Sequence, residues 1–144
     1  NGGEASDPFA AWAGEEGFGD DKNNDGVPNG MAFLLGAASP DEDATGLLPI
    51  GSYESGGSGG LVLTFSMLNA ANRGDATMST QHSSDLGVTD LWSDNQALVP
   101  ETSDTVNGVI FNIAANGTLN DVVATIPSSE AVNGTLFGRL MGTE

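Results

Sequence analysis

Apolar positions in this chain follow two periods, and the change falls near residue 47. Asp7 followed by Pro8 is an N-cap and first-turn signal, and Phe9 and Trp12 fall on one side of a short helix that stops near Gly14. An acidic loop covers 20–29. Met31, Phe33, Leu34 and Leu35 then make an apolar turn or two of helix closed by Gly36. Pro40 and the acids Asp41, Glu42 and Asp43 form a second connection.

Beyond it the runs shorten to four to eight residues with β-branched or aromatic members, bounded by Gly, Asn, Asp and Ser. Strands are expected near 47–50, 61–67, 77–82, 96–99, 106–113, 121–126 and 135–141. Leu61, Leu63, Phe65 and Met67 share one face and Val62, Thr64 and Ser66 the other, the alternation of a strand with one face on the core. Asn107-Gly108, Asn116-Gly117 and Asn133-Gly134 are tight-turn dipeptides, because both residue types tolerate positive φ. The tract 55–60, Ser-Gly-Gly-Ser-Gly-Gly, reads as a loop within the domain, since what precedes it is too short to fold alone. The expectation is a mainly β fold: an immunoglobulin-like β-sandwich of about seven strands with a short N-terminal helical calcium-loop segment. Residues 1–46 pack on the 47–144 sandwich as one folding unit, and Phe65, Ile110 and Phe137 are expected in the core.

Composition narrows the function. Three Lys and Arg stand against twenty Asp and Glu, for a formal net charge of −17. Nucleic acid and anionic membrane surfaces need clustered cations and are poor partners, with no nucleic-acid binding and no membrane insertion expected, whereas divalent cations would relieve the self-repulsion. No apolar run reaches the length of a membrane span, and there is no cysteine. A chain beginning at Asn1 and nearly free of Lys is expected to be a mature extracellular form.

One motif carries chemistry. Residues 21–29 place side-chain oxygens of Asp21, Asn23, Asp25 and Asn29 at loop positions one, three, five and nine. The Val27 carbonyl stands at position seven and Gly26 at the sharp bend. These are the spacings by which an EF-hand-type loop wraps a hard cation, and an oxygen-only set favours Ca2+ over Mg2+ or Zn2+. The closing position, normally a bidentate Glu, is Ala32. Asp20, Glu15, Glu16, the 41–43 stretch or water would have to supply the missing oxygens.

Several segments, in order, resemble a C-terminal module that closes many large secreted proteins of environmental bacteria. They are DPFAAWA at 7–13, DKNNDGVPN at 21–29 running into MAFLLG, Pro40, LVLTFS at 61–66, HSSDL at 82–86 followed by Trp92, and LFGRLM at 136–141. The resemblance implies a dockerin-like or thrombospondin-type-3-like calcium loop packed on an immunoglobulin-like sandwich, and secretion. It implies no reaction. Where the family shows Leu-Glu-Phe, this chain has Met31-Ala32-Phe33.

His82, Ser83, Ser84 and Asp85 hold the ingredients of a hydrolytic triad, but neighbours on a strand point to opposite faces and do not converge. Trp12, Trp92, Tyr53 and Phe18 are candidates for a glycan-stacking platform, with core packing the plainer role for the two tryptophans. The sequons at Asn116 and Asn133 coincide with turn sequences. The reading is therefore a non-enzymatic extracellular structural module, stabilised by calcium, that self-associates by strand or edge pairing into a fibre, pilus-like appendage or surface layer. The alternative is an accessory adhesion or carbohydrate- or protein-binding domain.

Overall fold

The computed structural model describes residues 7–54 and 59–144; most of the 55–60 tract lies outside them. Asp7 accepts a hydrogen bond from Phe9 N and caps α1 (Pro8–Ala13), which Gly14 ends at φ 68°. Helix α2 (Asn29–Leu34) follows the acidic loop and gives way at Gly36, φ 94°. Both helices stand where the apolar spacing puts them. A third, α3 (Ala70–Arg73), follows the 60–68 strand, where no apolar period announces it.

The described strands are β1 (Ile50–Tyr53), β2 (Gly60–Leu68), β3 (Thr77–Ser83), β4 (Gln96–Leu98), β5 (Asp104–Val106), β6 (Val109–Asn116), β7 (Leu119–Pro127) and β8 (Phe137–Thr143). They form two antiparallel sheets, β1-β2-β7-β6-β5 and β4-β3-β8. The protein is mainly β, with eight strands where seven were expected. One expected strand, 106–113, is split by the turn inside it. Asn107 and Gly108 both take positive φ, 48° and 81°, between the paired Val106 and Val109, the backbone of a type I′ hairpin turn. Residues 45–47 form a 3-10 turn, so the first strand begins at Ile50 instead of Leu47.

Side chains from both sheets meet in one apolar cluster that includes Leu63, Phe65 and Met67 of β2, Met78 of β3, Phe111 of β6 and Ile126 of β7. Phe9, Phe33, Leu34 and Leu35 from the helical segment enter the same cluster. Phe65 is buried as expected. Ile110 and Phe137 are not; they are 39% and 37% exposed. The Asn107-Gly108 turn fixes β6 so that Val109 and Phe111 point inward and Ile110 outward. In β8 a Cβ at Gly138 would meet Leu61 and Ile126, and one at Gly142 would meet Leu34, so 138, 140 and 142 face the core. Phe137, Arg139 and Met141 therefore face outward.

Candidate functional site

The acidic loop folds as its spacing demands. Asp21 receives the Asp25 N–H at 3.3 Å and the Gly26 N–H at 2.9 Å, while Asn23 Oδ1 also receives the Asp25 N–H at 3.3 Å. The oxygens at positions one and three thus converge on one backbone amide. Gly26, at φ 87°, makes the bend. Asp25 Oδ1 accepts from Val27 N at 2.9 Å and Oδ2 from Ala44 N at 2.7 Å. These bonds, with Ala44 the largest, hold the Asp25 carboxyl below its ordinary value of 3.8.

The second connection closes over this loop. Lys22 Nζ lies 3.1 Å from Asp41, and Asn23 Nδ2 donates to the Glu42 carbonyl at 2.7 Å. Position twelve, Ala32, is buried with Val27, Ala37 and Ala44 in a small apolar cluster and brings no oxygen. Asn29 is buried too: its Oδ1 accepts from Lys22 N at 3.2 Å and its Nδ2 donates to Gly17 O at 2.9 Å, so its amide clamps the loop from both ends. Asp21, Asn23 and Asp25 turn side-chain oxygens onto the loop's own amides, and Asn29 is engaged by backbone. Among the described residues no three His, Cys, Asp or Glu groups form a metal-holding cluster, and the loop itself supplies two carboxylates, Asp21 and Asp25.

The aromatic candidates do not share a face. Phe9, Trp12, Phe18 and Phe33 stack with centroid separations of 5.0 to 5.9 Å, and Trp12 Nε1 donates to Ala37 O at 2.7 Å. Trp12 and Phe18 are packing residues. Tyr53 is exposed on β1, and Trp92 lies half-buried in a 3-10 turn, Trp92–Asn95, with the Arg139 guanidinium 4.2 Å from its ring centroid.

Strand alternation separates His82 from Ser83, whereas Asp85, beyond the end of β3, folds back to accept from Ser83 Oγ at 3.1 Å. His82 Nε2 faces Glu130 at 3.3 Å, whereas Ser83 Oγ donates to Asp90 O at 2.7 Å. Asp85 accepts from the backbone of Val88, Thr89 and Asp90 and from Thr89 Oγ1, and Thr89 dominates in driving its carboxyl far down. Asn95 and Ser84 lower Asp90 in the same way. This network holds Leu86 at φ 60° and leaves Leu86 and Val88 60% and 76% exposed at the loop tip. The sequence alone does not announce this network, because its bonds close over two to seven residues in a pattern without a fixed period.

Three edges are short: β1, β4 and β5 have four, three and three residues. Asn107 Nδ2 further covers β4 by donating to Gln96 O at 2.9 Å. The edge at β8 is seven residues long, and among the described residues no strand pairs its outer side. Comparison with family models, curated proteins and solved structures found no match.

Proposed function

We propose that the chain is a non-catalytic, extracellular structural module that self-associates through the open edge of β8 into a fibre or surface layer, with calcium in the 21–29 loop stabilising each subunit. The single observation that carries this reading is the seven-residue unpaired edge of β8. It has no Pro and no Lys, and among the described residues no strand pairs with it, although α2 and Phe18 pack near its C-terminal half. The finer fold reading is immunoglobulin-like. In support, β2 pairs with β7 in one sheet and β3 with β8 in the other, as the B–E and C–F pairs of that fold do, and the place of a G strand would be beside β8. An extended segment of a neighbour added there would complete the sheet by main-chain hydrogen bonds.

Calcium enters through the loop geometry. Asp21, Asn23 and Asp25 would hold the ion with the Val27 carbonyl, each carboxylate oxygen keeping a second lone pair beside its amide bond, and water would complete the sphere that Ala32 leaves open. The ion would supply positive charge to a chain at −17. Binding to the folded state alone stabilises it by about 2.7 kcal/mol at about 100 times Kd. Asp25→Ala should abolish that response. A thermal midpoint indifferent to chelator and to millimolar calcium would refute the calcium assignment.

Sedimentation velocity at tens of micromolar tests assembly. The expected result is concentration-dependent growth that strengthens with calcium or salt and weakens in chelator at low ionic strength, as screening of like charges requires. A single monomeric species throughout would refute self-association. The second reading, an accessory adhesion or carbohydrate- or protein-binding domain, draws on Trp92, which stands on the outer side of the three-stranded sheet with a cation over its face.

A further inference from the structure

The chain has three cations, and two of them are consumed. Lys22 pairs with Asp41 at 3.1 Å and Arg73 with Glu101 at 3.1 Å. Arg139 has no carboxylate partner among the described residues, in a chain with twenty acids. It is nevertheless held in place. Its Nε donates to Gln81 Oε1 at 2.8 Å, and Gln81 Nε2 in turn donates to Gln96 Oε1 at 2.8 Å. The guanidinium lies over Trp92, and Trp92 is seated so closely on the 83–90 loop that a Cβ at Gly87 would come within 2.5 Å of it. Plane and direction of the guanidinium are therefore set, while its two terminal nitrogens make no hydrogen bond among the described residues.

An arginine fixed in this way has already lost its rotamer freedom and presents two parallel N–H donors, the geometry that a carboxylate meets with both oxygens. Beyond Gln81, Gln96 and Ser79, its neighbours on the outward face are apolar. Phe137 and Met141 flank it along β8, and Leu98 lies across Ser79 from Met141, all partly exposed. Such a rim excludes water from an ion pair formed at its centre and strengthens it.

We propose that Arg139 is the receptor for a side-chain carboxylate of a second copy of this chain, docked on the outer face of the β4-β3-β8 sheet. The inference rests on the self-association reading and names where its specificity lies. Charge selects the occupant. Two copies at −17 repel each other generally, but β3, β4 and β8 contain no Asp or Glu, and Arg139 offers an unpaired positive charge to a partner rich in exposed acids. The face is also continuous with the open edge, because Arg139 belongs to β8.

Sedimentation of wild type, Arg139→Glu and Arg139→Lys tests it, with thermal unfolding to confirm the fold; Arg139→Gln replaces the Glu variant if the latter is unstable. The expected result is assembly of wild type, a midpoint concentration raised about a hundredfold or more in Arg139→Glu, and a smaller rise of about tenfold in Arg139→Lys, which keeps the charge but loses the planar pair of donors. Arg139→Glu assembling like wild type would overturn the inference and leave self-association standing. A monomeric wild type would overturn both. Titration of the monomer with an oligogalacturonate separates the other carboxylate source: Arg139-dependent binding of the glycan, with assembly unaffected by Arg139→Glu, would overturn the second copy as occupant.

Discussion

Thr80 and His82 point from β3 into the space between the sheets, and Thr80 Oγ1 and His82 Nδ1 are buried without a hydrogen-bond partner. An unsatisfied buried hydroxyl carries its full desolvation penalty, so Thr80→Val, which keeps the shape and removes the oxygen, should stabilise the protein by about 1 kcal/mol in chemical denaturation. A loss of stability would show that the hydroxyl has a partner in solution. Alternation along β6 gives a second test. Phe111→Ala should cost about 3–5 kcal/mol and its exposed neighbour Ile110→Ala less than about 1 kcal/mol. Equal losses would mean that the register set by Asn107-Gly108 is wrong. The sequence shows Phe65 as buried but not the exposure of Ile110, because β2 has an unbroken alternation to count, whereas β6 starts at a turn inside the expected strand 106–113, and a one-residue shift reverses the faces.

At the scale of elements, local chemistry was the most legible part. The Asp7-Pro8 cap, the stops at Gly14 and Gly36 and the Asn107-Gly108 and Asn133-Gly134 turns stand where the sequence places them, because each depends on a backbone conformation that few residues adopt. Gly117 shows the limit of such reading: it leads its two-residue turn, at φ 67°, and Asn116 belongs to the strand. The inward run of β8 was misread because Gly138 and Gly142 carry no hydrophobic signal, although each is where a core side chain of another element needs room. The 83–90 loop gives the pH dependence. Asp85, Asp90 and Asp25 are all held below 3.8 in the fold, so the unfolded chain takes up protons first as pH falls. Their contribution is complete above about pH 4 and is lost as the pH drops further toward the folded values. Protonation of the remaining acids relieves self-repulsion over the same descent toward the pI of 4.1. The midpoint of thermal unfolding should therefore rise from neutral pH toward about pH 5 and fall below about pH 4. A rise continuing down to about pH 3 would contradict the role given to these three carboxylates.

Two sheets and a helical segment share one apolar core, and among the described residues no Asp, Glu, Lys or Arg is buried in it. The sequence carried the β class and the loop spacing, since both are periodic or motif-like. It could not carry the order of strands, so neither the open edge of β8 nor the seat of Arg139 was visible before β3 was placed between β4 and β8. Among the described residues no helix is long and apolar enough to cross a membrane. The central claim is that subunits join at β8, and amide hydrogen exchange read residue by residue tests it most directly. In the dilute monomer, alternate amides of 137–143 face outward from the sheet and should exchange fast; as concentration rises in calcium they should slow by at least about tenfold, while those of β1 stay unchanged. Assembly that leaves the β8 amides as fast as in the monomer would contradict the account.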